Sequence, residues 1–139
     1  MEIVPIFKTE IIPTILDLLY GFFPEQKELL KRVLETGICL ESKLYFHGNG
    51  KTLLDFFKQL MKGQFLSIPV QKDFEKWVSK GFEYHYRGAK KEMTEKYASK
   101  IISGNERAAK GNRLIDVQNV NGKFEIFQLA ITNRQQAIK

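Results

Sequence analysis

Asn121-Gly122 lies between two runs, 114–120 and 123–129, in which apolar and polar residues alternate. An Asn-Gly pair with such flanks is the strongest short-range signal for a two-residue β-hairpin, because both turn positions need positive φ. A loop of that length sets the register: Val117 faces Ile126, and Asn119 faces Phe124. Ile115, Val117, Phe124 and Ile126 then share one face, which is predicted to pack on helices. A slip by one residue would turn that whole face to water.

Upstream the periods are mostly helical. In 9–23, Ile12, Ile15, Leu16, Leu19 and Phe23 recur at spacings of three and four, with Thr9 as a candidate cap. Pro13 argues for a later start. Pro24 suits the first position of a second helix, whose stripe is Leu29, Leu30, Val33 and Leu34 and whose stop is Gly37. These two helices form a hairpin. Residues 38–46 read as a strand. A helix is predicted over 51–62, a short extended piece over 64–68, and a helix over 70–80. The aromatic stretch 82–88 reads as an irregular connector. A basic helix is predicted over 89–103, anchored by Met93, Tyr97 and Ile101 and stopped by Gly104. A polar loop follows over 105–112.

The expected class is therefore α+β and mostly helical. From Gly50 the order is helix, short strand, helix, basic helix, strand, turn, strand, which is the order of a winged helix-turn-helix. The expected organisation is a helical hairpin and strand over 1–47, for packing or dimerisation. A winged-helix-like domain follows over 48–131, then a polar tail over 132–139. The apolar stripe of 11–23 either covers the winged domain or offers a surface for dimerisation.

Charge is unevenly placed. The chain has 22 Lys+Arg against 16 Asp+Glu, a net of +6. Residues 1–47 hold five basic and seven acidic side chains, a net of −2. Residues 87–113 hold eight basic side chains (Arg87, Lys90, Lys91, Lys96, Lys100, Arg107, Lys110, Arg113) against Glu92, Glu95 and Glu106, a net of +5. A basic helix followed by a hairpin points to a polyanion. A hydrophobic fraction of 43% with 11 Phe argues for a packed globule and against disorder. The most apolar run, 11–23, is too short for the ~30 Å of a bilayer and contains Pro13 and Asp17. With no leader pattern and a single cysteine, Cys39, a cytoplasmic location without membrane contact is expected.

Other chemistry is poorly supported. Gly48-Asn49-Gly50-Lys51-Thr52 ends like a phosphate-binding loop, but Tyr45 stands where the first glycine should be. A strand-to-helix turn explains it better. His47 and His85 lack partners at metal-ligand spacing, so neither a metal nor a cofactor is expected. Tyr84, His85 and Tyr86 could stack on a base or a sugar, although anchoring a loop is the commoner use of such a cluster. No paired-carboxylate or nucleophile constellation suggests an enzyme.

The stretch LYFHGNGKTLLDFFKQLMKGQFL is similar to the start of the C-terminal domain of RteC-type regulators of conjugative transposons. Phe46, Gly48, Leu53, Leu54, Phe57, Leu60 and Gly63 carry the likeness, and EKYASKIISGNERAAKGNRLIDV resembles that family's last helix and basic segment. The resemblance covers residues 44–117. It implies a winged-helix DNA-binding domain and transcriptional control of mobile-element genes.

The expected function is DNA binding, with double-stranded DNA contacted by Lys90, Lys96, Ser99, Lys100, Arg107, Lys110 and Arg113, and by Lys123 on the wing. Charge alone does not separate DNA from RNA or from an acidic protein. The alternative is a non-enzymatic protein–protein adaptor of a mobile element or phage. It would work through the apolar N-terminal helices, as a homodimer or a complex that Phe22→Asp disrupts.

Overall fold

A computed structural model of the protein describes residues 3–129. The expected tail over 132–139 lies outside them. The fold is α+β. Its elements are β1 (Ile6–Phe7), α1 (Ile12–Leu19), α2 (Lys27–Thr36), β2 (Leu44–Phe46), α3 (Gly50–Lys62), β3 (Leu66–Ser67) and α4 (Gln71–Gly81). Then come β4 (Phe82–Tyr86), β5 (Ala89–Glu92), α5 (Glu95–Ile102), β6 (Ile115–Val120) and β7 (Lys123–Gln128). The strands form three small sheets: β1 with β3, β2 with β4 and β5, and β6 with β7. Among the described residues no helix is long and apolar enough to cross a membrane.

The N-terminal helix is shorter than its pattern. A 3₁₀ turn over Thr9–Ile11 leads into α1, and Pro13 falls in the first turn, where its missing N–H costs nothing. A second 3₁₀ turn over Tyr20–Phe22 ends the run at Gly21. Helix α2 starts at Lys27 rather than at Pro24, which lies in a turn. It stops as expected at Gly37, whose φ is +73°. A side-chain carbon there would come within 2.5 Å of the Pro5 carbonyl oxygen.

Helix α3 is the centre of the molecule. Leu53, Leu54, Phe56, Phe57 and Leu60 are fully buried, because other elements cover it on several sides. Phe57 makes ring contacts with Phe7, Phe74, Trp77 and Phe82 at 5.4–6.4 Å. Each such buried ring contributes about 1.5–3 kcal/mol by leaving water. The core continues across residue 47: the Phe23 and Phe82 rings meet at 6.2 Å, and Trp77 donates its indole N–H to the Gly37 carbonyl at 2.8 Å. One cluster holds Ile15, Leu19, Phe23, Leu30 and Leu34 together with the core of α3, α4 and α5. The N-terminal hairpin therefore shares one core with the C-terminal part.

Three expectations differ from the structure. The strand expected over 38–46 is only Leu44–Phe46, because its partner β4 runs parallel beside those three residues alone. The stretch 82–88 is a strand and turn, and 89–92 is its antiparallel partner rather than the start of a helix. The C-terminal hairpin has the expected register, Val117 opposite Ile126 and Asn119 opposite Phe124, with φ of +55° at Asn121 and +84° at Gly122. Strand β3 pairs with β1, so β6–β7 is a separate two-stranded sheet.

Candidate nucleic-acid interface

The cationic segment folds as a hairpin, a helix and a pinned loop. Arg87 and Gly88 have φ of +49° and +80° and form the two-residue turn between β4 and β5. Positive φ at both positions is what such a turn requires. The register pairs His85 with Lys90 and Tyr84 with Lys91. Alternation then sends the two lysines to opposite faces. Lys90 sits 4.9 Å from the centre of the Tyr45 ring, on the side of His47 and His85. Lys91 and Arg87 sit 4.6 and 5.1 Å from the centre of the Tyr86 ring.

Helix α5 begins at Glu95. The Thr94 hydroxyl accepts the Tyr97 N–H at 3.1 Å and so caps it. Met93, Ala98, Ile101 and Ile102 are buried, which leaves Lys96 and Lys100 exposed one turn apart and Ser99 half-buried. Tyr97 stacks on Tyr84 at 5.3 Å. Burial, then the neighbouring Tyr84, Tyr86 and Glu106, push its phenol up to about 12, so it stays neutral.

The loop after α5 is held from several points. Lys58 donates to the carbonyls of Ile101, Gly104 and Glu106. Lys51 bonds the Glu106 carboxylate at 2.8 Å, which holds that carboxyl below its ordinary range. Arg107 is the strongest anchor. Its Nε and Nη2 grip both oxygens of the fully buried Asp55 at 2.9 and 3.0 Å. Its Nη1 donates to Asp116 at 2.5 Å and its Nη2 also to the Ile115 carbonyl. These hydrogen bonds raise the guanidinium pKa despite its burial. Arg107 is thus occupied inside the protein, which removes it from the expected contacts. Arg113 is half-buried and donates Nε–H to the Ala108 carbonyl at 2.8 Å. Lys110 lies exposed in a 3₁₀ turn, and Lys123 lies exposed at the start of β7.

Lys90, Lys91, Lys96, Lys100, Lys110 and Lys123 are all exposed, and none forms an ion pair among the described residues. Arg87 and Lys91 add exposed cations at the β4–β5 hairpin and were not among the expected contacts. The alternation in Phe-Glu-Tyr-His-Tyr was the signal that could have placed them on a hairpin.

In the turn before α3 three backbone N–H groups already have acceptors within the turn. Asn49 accepts the Lys51 N–H through its side chain at 2.7 Å, and the Thr52 and Leu53 N–H groups through its carbonyl. Gly50 packs so closely against Tyr84 that a side-chain carbon would lie 2.8 Å from the ring. Among the described residues no three His, Cys, Asp or Glu side chains gather where a metal ion could sit. The histidines are drawn into the aromatic sheet face. Tyr45 Oη bonds His85 Nδ1 at 2.9 Å, and the His47 ring lies 4.2 Å from that of Tyr45. Burial lowers the His47 pKa, helped by His85 and Lys90 and opposed by Glu25.

Fold and surface together define a small α+β protein with exposed lysines on α5, in the loop after it and on two hairpins. No protein-family model matches the chain, and no curated protein or solved structure matches it either.

Proposed function

We propose that this protein binds double-stranded DNA through the exposed face of α5 and the segments that flank it. Lys96, Ser99 and Lys100 form the centre, Lys110 and Arg113 follow in the loop, and Lys123 adds a cation on the C-terminal hairpin, whereas Lys90 shares its sheet face with Glu83 and Glu92. The observation that carries this reading is that Lys96 and Lys100 on α5 and Lys110 after it are exposed without an ion-pair partner among the described residues. Lysines left free in this way can release condensed counterions by neutralising phosphates. The succession α3, α4, α5 and then β6–β7 supports a winged-helix-like use, with α5 against a groove and β6–β7 along the backbone. The hairpin between α4 and α5 makes that arrangement less compact than a simple three-helix unit. The likeness of residues 44–117 to RteC-type regulators supports transcriptional control of mobile-element genes as the setting.

The test is fluorescence anisotropy of a labelled mixed-sequence duplex at several salt concentrations. Binding should fall steeply with salt. In Lys96→Ala/Lys100→Ala the slope of log affinity against log salt should flatten by about two units. An unchanged slope removes α5 from the interface. A protein–protein adaptor is the second reading, favoured by a groove beside α1 where Ile6 is 69% and Tyr20 50% exposed. It gains if no salt-sensitive binding occurs. Phe22→Asp does not test it, because Phe22 is 5% exposed and its loss would disturb the core.

A further inference from the structure

The two faces of the β2–β4–β5 sheet differ in charge. One face carries Tyr45, His85 and Lys90 together with Glu83 and Glu92, which are register partners, and Lys43 reaches Glu92 at 3.9 Å. Carboxylates there would repel a phosphate. The other face ends at the hairpin tip in Tyr86, opposite the small Ala89 and beside Arg87 and Lys91. Tyr86 is 44% exposed, and its hydroxyl makes no hydrogen bond among the described residues. Glu106, the carboxylate that acts on nearby Tyr97, is held by Lys51.

An exposed ring with two cations against it, neither held by an ion pair among the described residues, matches both parts of a nucleotide. The ring offers a stacking surface to a base, and the cations offer charge to its phosphates. A contact with phosphates alone would need only the cations. A duplex hides its base faces in the stack, so the ring selects a strand whose bases are free. We propose that the tip of the β4–β5 hairpin binds unpaired nucleotides of single-stranded DNA, with a base on Tyr86 and the phosphates held by Arg87 and Lys91. The choice of DNA rests on the duplex-binding reading above, since the hairpin leads directly into α5.

The experiment compares the full chain with Tyr86→Ala and Tyr86→Phe, by anisotropy, on an oligothymidylate, an oligouridylate of equal length and the mixed-sequence duplex. Tyr86→Ala should weaken oligothymidylate binding by about fivefold or more, while Tyr86→Phe keeps it within about twofold because the ring remains. Duplex affinity and the thermal transition should stay unchanged in both variants. The proposal is overturned if Tyr86→Ala binds oligothymidylate like the wild type, or if oligouridylate binds more tightly than oligothymidylate. Duplex binding without oligothymidylate binding sinks the hairpin proposal and leaves the duplex reading standing. The reverse result sinks the duplex reading alone, and no binding to any of the three sinks both.

Discussion

Arg107 and Lys110 lie three residues apart and look equivalent in a list of cations. The fold separates them completely. Lys110 is exposed, whereas Arg107 holds Asp55, 52 residues away, through both carboxylate oxygens. A planar fork can do this and an ammonium cannot. Removing it would leave a fully buried carboxylate without its counter-charge, at a cost of about 3–5 kcal/mol. Arg107→Ala should therefore lower the urea midpoint strongly, and Arg107→Lys should recover only part of it. The salt slope of the proposed DNA binding should not change in folded Arg107→Lys. A variant with normal stability and a flatter slope would return the arginine to the interface. The distinction was not legible in the sequence, because it depends on a partner that only the tertiary fold brings near.

At the scale of elements, legibility followed the strength of local signals. The β6–β7 hairpin was readable to the residue because Asn121-Gly122 accepts positive φ at both turn positions. Gly37 marked the end of α2 for a related reason. The β4–β5 hairpin was missed because its turn is Arg87-Gly88, and an arginine seldom takes positive φ. Its second strand, Ala-Lys-Lys-Glu, is composed of good helix formers, and pairing with β4 overrides that preference. The consequence reaches the candidate site: Lys90 moves from a helix to a sheet edge, while Lys96 and Lys100 stay helical. Helix α5 now has only eight residues, so its cap matters. Thr94→Ala removes the acceptor for the Tyr97 N–H and should cost about 1 kcal/mol. Thermal unfolding should show the loss, and hydrogen exchange should quicken first at Tyr97. Unchanged exchange there would mean that packing on Tyr84, rather than the cap, holds the first turn.

For the whole molecule, the core is the unit of organisation. The periods of 9–23 and 24–37 revealed which faces were apolar but not what they met. They meet the same cluster as α3 and α4. A fragment of residues 48–131 would lose Phe7 and Phe23 and expose Phe57, Trp77 and Phe82, whose rings they meet. It should show no cooperative thermal transition by circular dichroism, and a sharp one would mean that the C-terminal part folds by itself. The parallel pairing of β2 with β4 also carries a kinetic consequence. Leu44 meets Phe82 across 38 positions (82 − 44), whereas the two hairpins close over two-residue turns. Hairpins form in about 1–10 μs, but β2 has no place to dock until α3 and α4 have folded back between the two strands. Nascent chains therefore pass through a stage in which one side of β4 is open, and at high concentration the same strand from a neighbouring chain competes for that vacancy.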